Sequence, residues 1–441
     1  MNLCIVSSGD FFSDYGGGQV YVRNLVDELV RRRLACENNR SDTIDISVFS
    51  FLADTPPSIK DYKGVNVYQV CDEVSFRNAL LQIHPDIVHA NGGKLLSARL
   101  CRELGIPCVV TAHHGGLVCP AGTLLNTKDE ICHITADYSH CLKCYLRNIP
   151  TGLFWYPLLK RFSQRRYVSI GQHLKRLPFV PFLTPIGRTG QIVSQKLAEW
   201  QELCETATHF IAPSDAMAAA LERNGCPKDK ISVIPHGIPD NGSQGSISDK
   251  NPKSSQPSTL DFYYVGRINY VKGIHVLLKA FSGVCNSSIR LHIIGGAITK
   301  KEQRYMRCLQ HRYRNDQRII WHGKLLYEQM QETIIDFHCL IHPTICLEAF
   351  GLDIAEALQA GKYVIATCCG GAEMQIHNKD EGILVEPNNI DDLREAIRQY
   401  ISNARTSNSP VESIRQHTTR LYELYNIIMS NSLNAIEQEY Q

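Results

Sequence analysis

The sequence lacks long apolar runs, and this absence excludes several classes of protein. Across its 441 residues no stretch approaches the roughly 18 apolar residues that a membrane-spanning helix requires. The N-terminus, Met1-Asn-Leu-Cys-Ile-Val, has no basic segment before an apolar one, so we expect a first β-strand rather than a secretory signal. A Walker A motif and a strict G-x-G-x-x-G motif are also missing, which argues against a P-loop NTPase or a dinucleotide-binding enzyme.

Acidic residues are missing from one long segment. The whole chain has a formal charge of +2, yet residues 138–198 contain no Asp or Glu, and aromatic residues lie between their cations. This pattern predicts a contact with anionic lipids over residues 143–196. A nucleic-acid surface is the rival interpretation, but no nucleic-acid-binding motif accompanies it. The third interpretation of this segment is a helical insertion whose apolar face packs on its own domain. The ten cations are Lys143, Arg147, Lys160, Arg161, Arg165, Arg166, Lys175, Arg176, Arg188 and Lys196.

Cysteine, by contrast, is plentiful. The 17 cysteines are odd in number and lie mostly in apolar segments, which favours reduced thiols in a cytoplasmic protein over a disulfide framework. Four of them have the spacing Cys119-x12-Cys132-x8-Cys141-x2-Cys144, which predicts a closed structural zinc site with four thiolate ligands. His133 and His140 are possible substitute ligands. Thiols that are close by chance, or a disulfide, are the alternatives.

Strand-like and helix-like segments alternate along the chain. Apolar strands such as residues 2–7, 44–49 and 86–91 are separated by segments with helical spacing, including residues 74–83 and 95–104. This alternation predicts parallel sheets with helices on both faces, and ligands at the carboxyl ends of the strands. The length favours two or three domains. Residues 239–258, rich in Asn, Gly, Ser and Lys, have the composition of a linker.

Two features of the N-terminal half lie at such strand ends. Gly16, Gly17 and Gly18 follow the first strand and precede a helix, a geometry in which backbone amides can approach an anion closely. His113 ends the strand that begins at Pro107, where a side chain can reach a ligand. A flexible turn and a structural histidine are the respective alternatives.

The C-terminal half is organised around residues 343–361. Glu348 and Glu356 have seven residues between them, and the turn that contains Gly351 precedes a helix for which Gly361 is the predicted C-terminal stop. A helix that begins directly after such a turn offers free backbone N–H groups, here near Phe350, Gly351 and Leu352, to a phosphate. The sequence therefore predicts a phosphate site with Glu348 at its mouth. An ordinary helix with solvated acids is the alternative.

These stretches, in this order, resemble the retaining glycosyltransferases of family 4, which have the GT-B fold. The resemblance covers almost all of residues 1–400. It rests on the E-x7-E spacing of Glu348 and Glu356, on a cysteine-rich segment and on several shorter motifs. A subset of the family has a cysteine-rich segment that resembles Cys119-Pro-Ala-Gly-Thr-Leu and the cysteines after it. The other matching stretches are Gly17, Asp86-Ile-Val-His-Ala-Asn, His113, Ser214-Asp215, Val233-Ile-Pro-His-Gly237, Gly266-Arg267 and Lys272.

The resemblance implies an α/β protein with two Rossmann-like, doubly wound parallel-sheet domains that face a central cleft. The N-terminal domain would be residues 1–240, with the cysteine-rich segment 119–144 and the basic and aromatic insertion 145–200. A linker, 241–258, would lead to a nucleotide-sugar-binding domain, 259–410, and to closing helices, 411–441.

The resemblance also implies an activity: transfer of a hexosyl unit from a UDP- or GDP-sugar to a saccharide or lipid-linked acceptor. Arg267 and Lys272 would pair with the diphosphate, Glu348 would orient the sugar and Glu356 the ribose. His113 would hold the transferred sugar. Gly17, Gly18, Phe350, Gly351 and Leu352 would complete the donor site. No catalytic metal and no nucleic acid would be required, and the protein would be cytoplasmic or peripheral to a membrane.

Two positions depart from the family pattern. Asp353 places a negative charge in the first turn of the helix, and Ala372 replaces the usual proline before Glu373. An epimerase or a phosphorylase-like enzyme of the same architecture, and a non-catalytic subunit, are the alternative functions.

Overall fold

The computed structural model describes two compact units. Unit 1 comprises Met1–Pro235 and Arg415–Gln441, and unit 2 comprises His236–Ile414. The described residues are 1–7, 9–13, 16–35, 44–52, 55–149, 152–161, 164, 169, 184–239, 259–407 and 409–439, and side chains are not described at 152–155, 184–187, 328 and 433–439. The predicted linker, 241–258, lies outside these residues.

Unit 1 is built on an eight-stranded sheet with the order β3-β4-β2-β1-β5-β6-β7-β8. All of its strand pairs are parallel except β3–β4, which is antiparallel. The strands are β1 (Asn2–Val6), β2 (Asp45–Phe51), β3 (Ser58–Tyr62), β4 (Val65–Val70), β5 (Ile87–Ala90), β6 (Cys108–Thr111), β7 (His209–Ala212) and β8 (Ile231–Val233).

The helices of unit 1 bury their apolar stripes against this sheet. In helix α1, Val22, Leu25 and Leu29 pack in one cluster with the strand residues Ile5 and Val48. Residues of the last helix, such as Leu421 and Tyr425, belong to the same cluster. The helices are α1 (Gly17–Ala35), α2 (Glu73–Ile83), α3 (Lys94–Leu104), α4 (Tyr138–Arg147), α5 (Gly152–Leu159), α6 (Thr184–Thr206) and α7 (Asp215–Arg223).

Unit 2 is built on a six-stranded, all-parallel sheet with the order β11-β10-β9-β12-β13-β14. The strand order therefore reverses between β9 and β12, as in a doubly wound sheet. The strands are β9 (Leu260–Val265), β10 (Ile289–Ile294), β11 (Ile319–Gly323), β12 (Cys339–His342), β13 (Tyr363–Thr367) and β14 (Gly382–Val385).

Helices cover the sheet of unit 2, with a core that includes Tyr263, Leu340, Ile354 and Leu358. The helices are α8 (Ile274–Ser282), α9 (Lys300–Arg312), α10 (Tyr327–Ile334), α11 (Leu352–Gln359) and α12 (Ile390–Ser402), and α13 (Ile414–Glu439) then enters unit 1. The predicted fold class, an α/β protein with two doubly wound, mainly parallel sheets, is confirmed.

Candidate functional site

The reversal of strand order in unit 2 brings together two loops at the carboxyl ends of neighbouring strands. Residues 266–273 follow β9, and residues 343–351 follow β12. Gly273 has φ +69°, and a Cβ at this position would lie 1.8 Å from the carbonyl oxygen of Pro343. The Ile345 amide donates a hydrogen bond to the Val271 carbonyl at 2.9 Å. Glycine is therefore required at position 273 for the two loops to meet.

This close approach joins two of the predicted site residues. The Lys272 ammonium forms an ion pair with the Glu348 carboxylate, and the two side chains are 27% and 19% exposed. Burial disfavours the charge on Lys272, but the carboxylates of Glu348 and Asp353 outweigh it and raise the pKa of Lys272. The pair is thus a fixed cation and a fixed anion in a largely desolvated place.

Hydrogen bonds of the backbone amide and carbonyl of Glu348 hold its loop against residues 369–371. The Glu348 amide donates to the Cys369 carbonyl at 2.7 Å, and the Gly371 amide donates to the Glu348 carbonyl at 2.9 Å. The Gln375 side chain donates to the carbonyls of Phe350 at 2.6 Å and Gly371 at 3.2 Å. Sequence reasoning missed Gln375, because its role depends on a tertiary contact that no local pattern marks.

Helix α11 begins where the phosphate site was predicted. Gly351 caps it with φ +87° and without a side-chain cap, and the Ile354 and Ala355 amides donate to the Gly351 carbonyl at 3.1 and 3.3 Å. The amides of Leu352 and Asp353 precede them, at positions for which an α-helix supplies no acceptor of its own. Phe350 is buried in a cluster with Ile238 and Ala355, so its ring is not exposed to a ligand. Gly361, with φ +70°, follows the last turn as predicted.

Asp353 points its charge toward a histidine that sequence analysis did not single out. Its Oδ2 accepts a hydrogen bond from Nδ1 of His342 at 2.7 Å, and His342 is 2% exposed. Burial raises the pKa of Asp353, but the His342 ring and the Lys272 ammonium outweigh burial, so the net shift is downward. The charge that departs from the family pattern therefore has a protein partner.

The environment of Glu356 shifts its pKa in the opposite direction to that of Asp353. Burial and the nearby charge of Asp353 raise the pKa of Glu356 to about 8, although a hydrogen bond with Tyr327 lowers it. A carboxyl group of this kind carries a proton at neutral pH and can donate as well as accept a hydrogen bond.

Arg267 makes its ion pair elsewhere. Its guanidinium lies 2.8 Å from a carboxylate oxygen of Glu302, and its side chain is 44% exposed. Glu302 also belongs to the capping box of α9 with Thr299. The predicted contact of Arg267 with a diphosphate stays a prediction.

In unit 1, His113 lies just beyond the carboxyl end of β6, beside a buried asparagine. Its Nε2 is 2.8 Å from Oδ1 of Asn91, which follows β5, and its ring packs edge-on against Tyr21 with 5.1 Å between centroids. Tyr21 lies one turn into α1, the helix that begins at Gly17 and Gly18. The glycine loop and His113 therefore belong to one end of the sheet.

Further buried polar groups of unit 1 form hydrogen bonds next to Tyr21 and within the same core. The Tyr21 hydroxyl is 2.8 Å from Nε2 of His417, whose Nδ1 is 2.6 Å from the Pro235 carbonyl. The Tyr425 hydroxyl is 2.7 Å from Nδ1 of His89. The sequence offers one signal for such residues, namely histidines and tyrosines within otherwise apolar strands and helices.

The four cysteines of the predicted zinc site lie close in the chain but do not form a metal-binding arrangement. No group of three or more His, Cys, Asp or Glu side chains within the described part of the chain could hold a metal ion. Burial and then Cys119 raise the pKa of Cys141 to about 12, and burial, Cys132 and Cys119 raise the pKa of Cys144. The thiols thus influence one another, and zinc stays a prediction.

Only part of the basic segment lies within the described residues. Leu142 and Leu146 of α4 form a small cluster with Tyr156 and Leu159 of α5. This contact favours the interpretation of the segment as a packed insertion. Arg165, Arg166, Lys175 and Arg176 lie outside the described residues. Among the helices described, none is both long and apolar enough to cross a membrane.

A surface cavity of about 620 Å³ in unit 1 is separate from these groups. Its lining contains none of the residues that the sequence analysis singled out as a site, and it includes Trp200, Gln201, Cys204, Asn224, Pro227 and Lys230.

The chain matches two protein families. Residues 247–417 match the family described as Glycosyl transferases group 1, and residues 181–241 match Glycosyltransferase Family 4. The first match contains the Lys272–Glu348 pair and α11.

Two relatives show the extent of the similarity. The phosphatidylinositol N-acetylglucosaminyltransferase gpi3 subunit of Schizosaccharomyces pombe is 24% identical over 268 residues, 56% of this chain and 55% of that protein. The O-antigen chain mannosyltransferase C of Escherichia coli is 26% identical over 283 residues, 60% of this chain and 74% of that protein. The chain thus spans about half the length of the gpi3 subunit.

Solved structures show the same fold. The crystal structure of Anabaena Alr3699/HepE in complex with UDP superposes with a TM-score of 0.57 at 15% identity, over 99% of both chains. Two units, each with a mainly parallel sheet between helices, define the GT-B class of α/β proteins. Together with the two family matches, this fold supports a family 4-like glycosyltransferase. Membership of the cysteine-rich subset stays a prediction.

Proposed function

We propose that this protein moves a hexosyl unit from a nucleoside diphosphate sugar to an acceptor hydroxyl, with retention of configuration at the anomeric carbon. The observation that carries the proposal is the cluster in unit 2 formed by Lys272, Glu348 and the N-terminus of α11. It combines a largely buried cation, a carboxylate and the positive end of a helix dipole, which together suit a sugar attached to a phosphate.

The chemistry required of this cluster is the departure of a nucleoside diphosphate. The bond between the anomeric carbon and the phosphate oxygen breaks, and negative charge develops on that oxygen. Lys272, Arg267 and the first-turn amides of α11 would stabilise this charge, so a divalent metal is not required. Glu348 would hold the sugar hydroxyls, and Glu356 the ribose hydroxyls.

The acceptor oxygen forms the new bond on the face that the leaving group vacates, which gives retention. Its proton passes to an oxygen of the departing phosphate in this scheme. His113, oriented by Asn91 at the carboxyl end of β6, would hold the transferred sugar. It is an alternative acceptor for the same proton.

The similar proteins suggest which substrates to try first. Alr3699/HepE has been crystallised with UDP and with UDP-glucose, so uridine nucleotides are the first donor probes. The two relatives named above act, by their names, on phosphatidylinositol and on an O-antigen chain. A saccharide or lipid-linked acceptor, met in the cytoplasm or at a membrane surface, therefore fits the proposal.

The test begins with thermal-shift measurements against UDP-, GDP-, ADP- and dTDP-sugars, followed by product analysis with and without candidate acceptors. We expect one donor class to raise the melting temperature and an α-linked donor to give an α-linked product. A new sugar formed from the donor alone would instead indicate an epimerase.

The variant Glu348→Gln keeps the size of the side chain and removes its charge. Loss of a charged contact to the reacting group should lower kcat about 100-fold or more. Glu395→Gln, on the exposed face of α12, is the matched control and should leave kcat unchanged. Full activity of Glu348→Gln would contradict the proposal and favour a role as a non-catalytic subunit.

A further inference from the structure

His342 occupies an unusual position directly before the loop 343–351 that carries Glu348. It is the last residue of β12, and its Nδ1 bonds to Oδ2 of Asp353 at 2.7 Å. Its Nε2 is buried and has no hydrogen-bond partner among the described residues, but it faces Oε2 of Glu348 at 3.7 Å. A buried ring nitrogen without a partner is costly and calls for a reason.

The second observation concerns the partner that Glu348 already has. Its carboxylate is paired with the Lys272 ammonium, and both side chains are mostly buried. On the proposed function, Lys272 must turn from Glu348 to the diphosphate when the donor binds. A largely buried carboxylate that loses its cation is strongly destabilised unless another donor replaces it.

We infer that His342, held by Asp353, is a positioning residue that takes over the Glu348 carboxylate when Lys272 engages the diphosphate of the donor. The inference rests on the proposed function. Glu348 then keeps a fixed orientation toward the sugar in both states of the site. The two glutamates of the E-x7-E motif do not fix this orientation by themselves, because Lys272 pairs with Glu348 before the donor binds and with the diphosphate afterwards.

The exchange has a proton requirement. Nδ1 already donates to Asp353, so Nε2 donates to Glu348 only when the imidazole ring carries both protons. The second proton comes from solvent, and Asp353 balances the charge of the resulting imidazolium. A positioning role of this kind predicts proton uptake on nucleotide binding, which a purely structural histidine would not produce.

The neighbouring groups leave few other sources for this uptake. Burial raises the pKa values of Tyr263, Tyr264, Cys346 and Cys369, which keeps these groups neutral near pH 7. Glu356 is the exception, because burial and Asp353 raise its pKa to about 8. Within the described part of the chain, the titratable and charged groups that interact electrostatically with His342, Glu348 or Asp353, together with these two carboxylates, are Tyr263, Tyr264, Lys272, Cys346, Glu348, Asp353, Glu356 and Cys369.

The experiment is calorimetric titration of UDP and of GDP into the full-length protein at pH 7.5, in buffers with different ionisation enthalpies. For the wild-type protein we expect uptake of up to about one proton per nucleotide bound. His342→Gln places an amide N–H near the position of Nε2, so it should keep most of the affinity but lose the uptake. His342→Leu should lose the uptake and about tenfold or more in affinity.

Asp353→Asn should weaken binding more at pH 8 than at pH 6, because the neutral amide no longer stabilises the imidazolium. His311→Gln and Asp391→Asn are matched controls, since both residues are exposed and lie on other helices. Melting curves establish that each variant is folded.

The outcomes separate the inference from the function on which it rests. Nucleotide binding with undiminished proton uptake in His342→Leu would assign the uptake to another group, such as Glu356, and overturn the inference alone. Nucleotide binding without proton uptake in the wild-type protein would also overturn it. A wild-type protein that binds no nucleoside diphosphate would overturn the proposed function and the inference together.

Discussion

At the scale of single residues, charge partners decide what the acidic motif of unit 2 can do. Asp353 places a negative charge in the first turn of α11, and its carboxylate is directed at His342. Burial raises the pKa of Glu356, and the same Asp353 carboxylate raises it further. One aspartate thus orients a histidine ring on one side and favours a protonated glutamate on the other.

The raised pKa of Glu356 gives a prediction about stability. Folded Glu356 keeps its proton up to about pH 8, whereas the unfolded side chain loses it near pH 4.5. Between these values the unfolded state binds fewer protons, so this group makes the protein less stable as the pH rises. Glu356→Gln removes the effect and should be more stable relative to the wild type at pH 9 than at pH 5, by on the order of 1–3 kcal/mol.

Urea unfolding at the two pH values measures this difference, with Glu395→Gln as the exposed control. A Glu356→Gln variant whose stability relative to the wild type is the same at both pH values would show that the folded carboxyl titrates normally.

The positions of individual site residues were predictable only where a residue follows a strand or begins a helix. His113 and Glu348 lie in loops that follow strands β6 and β12, and these positions follow from the alternation of strands and helices. His342 and Gln375 contact residues that are 6–25 positions away in the sequence, through loops that meet only after the sheet has formed. No local period or spacing contains that information.

At the scale of elements, most helices and strands were predictable because hydrophobic periodicity and capping agree. The predicted helices 74–83 and 95–104 correspond to α2 and α3, and at the start of α7 the Ser214 hydroxyl accepts from the Met217 amide as a cap should. Strand β3 was missed, because Ser58–Tyr62 is exposed at the sheet edge and has no apolar pattern. Its pairing with β4 is what makes it a strand.

The cysteine-rich segment gives a prediction at this scale. Cys141 and Cys144 are three residues apart on α4, while Cys119 and Cys132 flank a short hairpin closed by the Leu125–Ile131 bridge. Arg147 ties the helix to that hairpin by donating to the Asn126 carbonyl at 2.8 Å. Besides burial, Cys119 raises the pKa of Cys141 and Cys132 raises the pKa of Cys144, so the helix and the hairpin place their thiols near one another. We expect the four side chains to rearrange around a bound ion, with about one zinc per chain.

Metal analysis of protein purified without metal-affinity resin measures the zinc content. Cys141→Ser should lower it, and Cys285→Ser, at an exposed position in unit 2, should not. A wild-type protein with a negligible zinc content would contradict the four-thiolate site.

At the scale of the whole molecule, two doubly wound sheets follow from alternation alone, whereas the path of the last helix does not. Residues from Arg415 onward belong to unit 1, where Leu421, Leu424 and Tyr425 complete the core around α1. Amphipathic periodicity indicates that such a helix packs somewhere, but it does not indicate which sheet it joins. Hydrogen bonds of buried histidines fix the helix in unit 1, because His417 of the helix contacts the Pro235 carbonyl and Tyr425 of the helix contacts His89.

These two histidines predict that unit 1 is sensitive to acid. Burial lowers the pKa of His417 to about 4, and burial together with the charge of His417 lowers that of His89 to about 3. Both are neutral when folded, whereas unfolded histidines take up protons below about pH 6.5. The unfolded state therefore binds more protons in this window, and stability is lost as the pH falls from about 6.5 toward 4.

His417→Gln separates this effect from general acid denaturation. The variant should be less stable than the wild type at pH 7, because it loses the contacts with Tyr21 and the Pro235 carbonyl. Its loss of stability between pH 7 and pH 5 should nevertheless be smaller, by on the order of 1–2 kcal/mol, because one proton-binding site of the unfolded state has been removed. Urea midpoints at both pH values measure the two slopes, with His84→Gln on the surface as control. Equal slopes for the wild type and His417→Gln would mean that the buried ring accepts its proton without unfolding, and that acid lability arises elsewhere in the chain.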